Sequence, residues 1–233
     1  PSTKTGAYLL KNYPCPEDIV SLGQKPLAEI VKKISRGQFT AQKALDFFEA
    51  AQKSVGVKDG KTSIILEIKH LIGMIENHNQ FIESLEKQMR TYLEQVPYSQ
   101  SILSIKGNGD VTVSGLIGEV GDFKAFDTIT EIMKLAGLDL FEISSGKHSG
   151  QRRISKRGRP LMRKLLFFAA INAVKSGGIM HQKYHQMLDR GMIKIKALVA
   201  ISRKLLGLIF AIVRDNTLYI ENYRNNHHYR LAA

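Results

Sequence analysis

The 233 residues contain no tryptophan, a single cysteine and only six prolines. Each shortage excludes something. Cys15, set between Pro14 and Pro16, rules out an internal disulfide framework or a multi-cysteine zinc site, so a reducing cytoplasm is the expected location. No stretch approaches the about eighteen uninterrupted apolar residues of a membrane span, and the amino terminus lacks the apolar centre of a signal peptide. A basic amphipathic anchor usually carries Trp or Phe on its buried face, so no membrane partner is expected. Acid is scarce as well. Lys and Arg number 34 against 21 Asp and Glu, a net charge of +13, and no acidic residue occurs between Glu142 and Asp189. A stretch so free of acid attracts polyanions, which points to nucleic acid.

With 43% apolar residues the chain has enough material for a core. Its start at Pro1, without Met, leads us to expect the carboxy-terminal part of something longer. The expected fold is all-α: a long coiled-coil helix followed by a compact helical domain containing a helix-hairpin-helix-like motif. Residues 1–23, rich in Pro, Gly and Tyr, read as a connector with little regular structure. Residues 24–98 read as a helical coiled-coil region. Two short helices fit Pro26 to Val55, with a break near Gly37. From Lys61 to Val96, Ile64, Ile68, Leu71, Ile75, His78, Ile82, Leu85, Met89 and Tyr92 alternate four and three apart, a seam that calls for a partner helix. A homo-oligomer through this helix is expected, with packing inside its own domain as the alternative. Residues 99–216 scan as helices throughout, with no strand-type alternation, and the last helix places Ile195, Leu198, Val199, Ser202, Leu205, Leu206, Ile209 and Ile212 on a core face. Residues 217–233 read as a fraying tail.

Two constellations carry chemistry. Ile105-Lys106-Gly107-Asn108-Gly109, between apolar helical segments, has the form of a phosphate-binding hairpin. Gly-x-Gly lets backbone N–H groups and the next helix's amino terminus approach a phosphate without reading sequence. The middle residue of such hairpins is usually apolar; here it is Asn108. The second is the run from Ser144 to Leu166, with eight Lys or Arg between Ser144 and Lys164. Ser144, Ser145, Ser149 and Ser155 stand there among Lys147, His148, Arg152, Arg153, Lys156 and Arg157. Pro160 suits the first turn of a helix, so the run would feed Arg159 and Arg163 into a positive helix end. A serine needs its proton removed and the attacked group's charge stabilised before it is a useful nucleophile. Guanidinium groups can do the second for a phosphate, although a loop that merely tracks DNA has the same composition. A non-enzymatic nucleic-acid module is therefore the alternative. His181 and His185 lie one helical turn apart, half of a metal site, but with no third ligand a surface or capping role is favoured and no metal is expected.

The ordered set Ile105 to Gly109, Leu116 to Phe123 (LIGEVGDF), Leu135 to Asp139 (LAGLD), Ser145 to Gly150 (SGKHSG), Arg153 to Gly158 (RISKRG) and Lys196 to Leu206 (KALVAISRKLL) resembles the carboxy-terminal domain of the DEDD-type insertion-sequence transposases related to the Piv invertase. The seam before it suits that family's middle segment. The resemblance implies an amino-terminal RuvC-like domain, upstream of Pro1, whose four acidic residues bind magnesium. Glu17, Asp18, Glu29, Asp46, Glu49 and Asp59 sit in loop or helix-type sequence and do not supply it. No cofactor is expected in this segment, and magnesium is expected in the full-length protein. By the same resemblance Ser145, with Ser144 as fallback, is the catalytic serine that becomes linked to DNA. Lys106, Gly107, Gly109, Lys147, Arg152, Arg153, Lys156, Arg157, Arg159 and Arg163 are the DNA-binding candidates. DNA is the expected partner, with a guide RNA from the element itself in at least some members. Alone, the segment is expected to bind DNA without cutting it.

Overall fold

The structure is a computed structural model, and it describes residues 3–56, 59–142 and 152–221. It is helical nearly throughout and divides into two compact units, Pro1–Ser84 and Leu85–Ala233.

In the first unit, α1 (Lys4–Asn12), α2 (Pro16–Leu22), α3 (Gln24–Ile34) and α4 (Ala41–Lys53) pack around Leu9, Leu27, Val31 and Ala44. The expected connector is thus two helices. The residues that read as breakers act as helix ends. Thr3 Oγ1 accepts from Gly6 N at 3.1 Å, Cys15 N donates to Asp18 Oδ2 at 3.0 Å, Pro16 opens α2, and Gly23 separates α2 from α3. Leu9 faces inward beside the half-buried Tyr13, Ile19 and Leu22. The break expected near Gly37 separates α3 from α4, where Phe39 and Phe47 meet edge to face at 6.3 Å.

Helix α5 (Lys61–Glu94) is 34 residues long, about 51 Å at 1.5 Å per residue. Ile72 and Leu93 are buried, whereas Ile64, Leu71, Ile75, Ile82, Leu85 and Tyr92 of the expected seam are exposed. His78, on the same seam, is exposed and its Nδ1 donates to Met74 O at 2.7 Å.

The second unit is organised by its last helix. After the end of α5 come α6 (Ser99–Leu103), α7 (Asp110–Val120), a 3-10 turn (Phe123–Ala125), α8 (Ile129–Ala136), β1 (Leu140–Phe141), β2 (Arg153–Ile154), α9 (Pro160–Ala173), α10 (His181–Asp189) and α11 (Lys194–Arg214). Helix α11 packs on α9, α6, α8, α10 and the 3-10 turn. Its buried stripe is Ala197, Ile201, Ser202, Leu205, Leu206, Ile209, Phe210, Ile212 and Val213. Ile195, expected in that stripe, lies outside it, because burial begins only where α11 reaches α9: Ala169, Ala170 and Ala173 leave room for Ile201 and Leu205. The hydroxyl of Ser202 is satisfied there, donating to Leu198 O at 2.9 Å.

Two strands appear where none was expected. Leu140 pairs with Ile154 and Phe141 with Arg153, antiparallel, and two residues per strand are too few to produce readable alternation. The start of the tail is also held: Tyr219 N donates to Ser104 Oγ at 2.8 Å and Tyr219 packs on the main core, while residues 222–233 lie outside the described ones. Tyr98 stacks edge to face on Phe123 at 5.8 Å and donates its hydroxyl to Gly121 O at 3.0 Å. Burial pushes that hydroxyl's pKa above the ordinary tyrosine value. The folded state therefore favours neutral Tyr98, a contribution present below about pH 10 and lost as the pH climbs from there through the raised folded value. Tyr98→Phe is expected to flatten the alkaline side of the stability profile, measured by urea unfolding between pH 8 and 11.

Candidate nucleic-acid interface

Several of the sequence motifs meet at one place in the second unit. Helix α8 ends at Gly137, in left-handed conformation, with Gly137 N bonded to Lys134 O at 2.8 Å and Leu138 N to Met133 O at 2.9 Å. The chain returning through β2 then lies along this helix end. Ser155 N donates to Asp139 O, Lys156 N to Gly137 O and Arg159 N to Leu135 O, each at 2.9 Å. Ser155 Oγ donates to the Asp139 carboxylate, and Arg163 Nη1 donates to Ala136 O at 3.0 Å. Residues 155–159 thus form a strap fastened to α8 by its backbone. Gly158 is the point of closest approach. At φ +152 a Cβ there would run into Leu135 O and stand 2.6 Å from Gly137 N.

The fastened backbone leaves Arg153, Lys156, Arg157 and Arg159 exposed on one short segment leading into α9, with Pro160 in its first turn. This places four exposed cations on a short, backbone-fastened segment at a helix amino terminus, a setting that suits phosphate. Arg152 is exposed too but paired with Glu142 at 3.0 Å. Arg163, half-buried, is occupied with the end of α8. Ser155, which the sequence alone groups with the other serines of the basic run, is a fastener. Ser155→Ala is expected to lower the unit's stability by about 1–2 kcal/mol by leaving Asp139 short of a partner, read as a lower midpoint in urea. Ser144, Ser145 and Lys147 lie outside the described residues.

The hairpin between α6 and α7 is a second exposed feature. Ile105 is buried and anchors it, Asn108 N donates to Ile105 O at 3.1 Å, and Val113 N closes the first turn of α7 onto Gly109 O at 3.0 Å. Gly107 has φ +101 and would set a Cβ 3.4 Å from that of Asn172, so the turn needs glycine. The side-chain amide of Asn108 donates to Ile102 O at 3.3 Å, bracing the turn from within. Lys106, Gly107 and Gly109 face solvent. Asp110, in the first turn of α7, is paired with Arg90 at 2.7 Å, so one carboxylate already sits at this helix end and is neutralised by α5. Behind the hairpin, Asn172 Oδ1 accepts from Lys175 Nζ at 2.8 Å. Asp139, Asn172 and Lys175 are participants that sequence reading missed. Asp139 was in view inside the LAGLD motif, but only the fold pairs it with Ser155.

His181 Nδ1 donates to Val174 O at 2.8 Å, capping the end of α9, and its ring lies 4.4 Å from that of His185. Among the described residues no group of three or more His, Cys, Asp or Glu could hold a metal ion, and no helix is long and apolar enough to cross a membrane.

Residues 99–185, which include the hairpin, the strap and α9, match the model of the transposase IS116/IS110/IS902 family. The 43.6 kDa protein of insertion element IS110 from Streptomyces coelicolor is 25% identical over 213 residues, 91% of this chain and 52% of that protein. The 44.8 kDa protein of IS116 from Streptomyces clavuligerus is 20% identical over 220 residues, 94% of this chain and 54% of that protein. The pilin gene-inverting protein of Moraxella lacunata is 28% identical over 148 residues, 61% of this chain and 46% of that protein. The chain spans about half the length of the insertion-element relatives it matches. On these matches the chain is similar to the IS110/IS116 transposases, and residues 99–185 are the segment that matches the family's model.

Proposed function

We propose that this chain is the DNA-contacting, serine-bearing portion of an insertion-sequence transposase or site-specific recombinase. The observation that carries the reading is the backbone-fastened strap, which with β2 just before it carries four exposed cations within about fifteen residues after Ser144 and Ser145 in the chain, inside the stretch that matches the transposases. Arg153 at the end of the β-ribbon and Lys156, Arg157 and Arg159 on the strap hold phosphates, and Lys106 with the Gly107 and Gly109 backbone holds the duplex at the hairpin. Ser145 is the nucleophile, with Ser144 as fallback. In the step it performs, an Oγ–phosphorus bond forms, the bridging P–O bond of the DNA breaks, and the seryl proton ends on the departing deoxyribose oxygen. The arginines offset charge developing on the non-bridging oxygens. Magnesium does not fit the described residues, which offer no cluster of ligands. It belongs to the acidic domain implied by the family resemblance.

The exposed seam of α5 supports a homo-oligomer formed through a coiled coil, since six large apolar side chains along one face otherwise stand in water. Ile75→Glu together with Ile82→Glu is expected to convert the associated chain to monomer in sedimentation experiments, with helix content retained. A guide RNA is a further candidate partner, taken over from the resemblance alone. Binding to a duplex tests the strap directly. The four cations, at one phosphate each, contribute about −3.6 to the slope of log affinity against log salt. Replacing all four by Gln should remove most of that contribution; a slope unchanged by the replacement would refute the assignment of the strap to phosphates.

A further inference from the structure

Between Glu142 and Asp215 the only acidic residue is Asp189, against sixteen Lys or Arg, and the strap and hairpin use only part of this charge. The turn from α10 into α11, Arg190-Gly191-Met192-Ile193-Lys194-Ile195-Lys196, carries another part. Arg190, Lys194 and Lys196 are exposed, and so are two large apolar side chains between them, Ile193 at 70% and Ile195 at 68%. The turn itself is well fastened: Gly191 N donates to Leu188 O at 2.8 Å, Met192 N to Met187 O at 3.0 Å, and Ala197 N to Ile193 O at 3.0 Å. Rigid, exposed isoleucines alternating with lysines are therefore presented by the fold and are not the product of a frayed end.

We infer that this elbow is a further contact for double-stranded nucleic acid, in which Lys194, Lys196 and Arg190 straddle phosphates and Ile193 and Ile195 press on base edges or wedge between base steps in the groove. The inference rests on the DNA-binding reading above and adds a surface to it. Two observations select this partner over a protein. The cores of protein interfaces are depleted in lysine, whereas here lysines are interleaved with the apolar side chains one for one. Apolar wedges flanked by cations are the device by which proteins unstack and bend a duplex. Position agrees as well. The hairpin leans on Asn172 near the end of α9, and the last turns of α9, at Ala169, Ala170 and Ala173, pack on Ile201 and Leu205 of α11. The elbow, one to two turns ahead of Ile201, therefore lies toward the same end of α9 as Lys106 and Gly107.

The test is duplex binding by the full 233-residue chain, followed by fluorescence anisotropy, with 2-aminopurine in the duplex as a reporter of unstacking. Lys194→Ala with Lys196→Ala should reduce the magnitude of the log–log salt slope by about 1.8, two phosphates at about 0.9 each. Ile193→Ser with Ile195→Ser should weaken binding about tenfold with the slope unchanged and abolish the 2-aminopurine signal. All four side chains are exposed, so unfolding is not expected; circular dichroism confirms it. If the wild-type chain binds and both double variants bind equally well, the elbow is not a nucleic-acid contact. If the isoleucine variant instead loses self-association in sedimentation with duplex binding intact, the elbow is a protein interface and the inference is overturned. Failure of the wild-type chain to bind any duplex would strike the proposed function itself, and the elbow with it.

Discussion

Gly158→Ala is expected to lower the stability of the second unit by about 2–5 kcal/mol, from backbone strain at φ +152 and from a Cβ forced against Leu135 O and Gly137 N. Against the about 5–15 kcal/mol that a domain of this kind possesses, that is a large fraction. The unfolding temperature should fall by roughly 10 °C. Relief cannot come from a rotamer change, because the atoms in the way are backbone atoms at the end of α8. Gly118, inside α7 with nothing within 4 Å of the place a methyl would occupy, supplies the contrast: Gly118→Ala should be neutral or stabilise by up to about 1 kcal/mol. Calorimetry of the two variants decides the matter. Equal melting temperatures would mean that the strap is not fastened to α8, and the row of cations would lose its structural basis.

The second large effect concerns chemistry. If the proposed function holds, Ser145→Ala in a protein joining this chain to the proposed acidic domain is expected to reduce strand transfer by about three orders of magnitude or more, as removal of a nucleophile does. Duplex affinity and its salt slope should be unchanged, because no charge is lost and the proposed phosphate contacts are made by other residues. The two readouts separate catalysis from docking. A loss of strand transfer with Ser144→Ala, and not with Ser145→Ala, would move the nucleophile by one residue while leaving the mechanism in place. Retention of strand transfer in both variants would remove serine from the reaction.

Much of the helical plan was legible because helices longer than about three turns show their period. The start of α9 at Pro160 fell where the proline signal put it. The connector was misread because the same signals occur at the ends of short helices: Pro16 and Gly23 delimit α2 instead of denying it. The stripe of α11 was placed a little too early, since periodicity does not say where along a helix its neighbour begins, and so Ile195 emerged in solvent while Ala197 went inside. At the candidate site, the cations were visible as composition. Their arrangement was not, because it depends on hydrogen bonds between segments distant in the chain, Leu135 to Asp139 and Ser155 to Arg159. Nor could sequence distinguish Ser155, engaged with Asp139, from its neighbours. Arg163 illustrates the same point: one N–H of a guanidinium named as a DNA candidate bonds Ala136 O, a contact only the fold reveals.

Covalent trapping shows whether a serine of this chain becomes linked to DNA. A protein joining this chain to the proposed acidic domain would be incubated with element-end DNA, magnesium and any element-encoded RNA, and the peptide spanning Phe141 to Arg152 searched by mass spectrometry. A nucleotide adduct on Ser145 is the predicted result. Strand exchange that proceeds with no adduct on any serine of that peptide would contradict it.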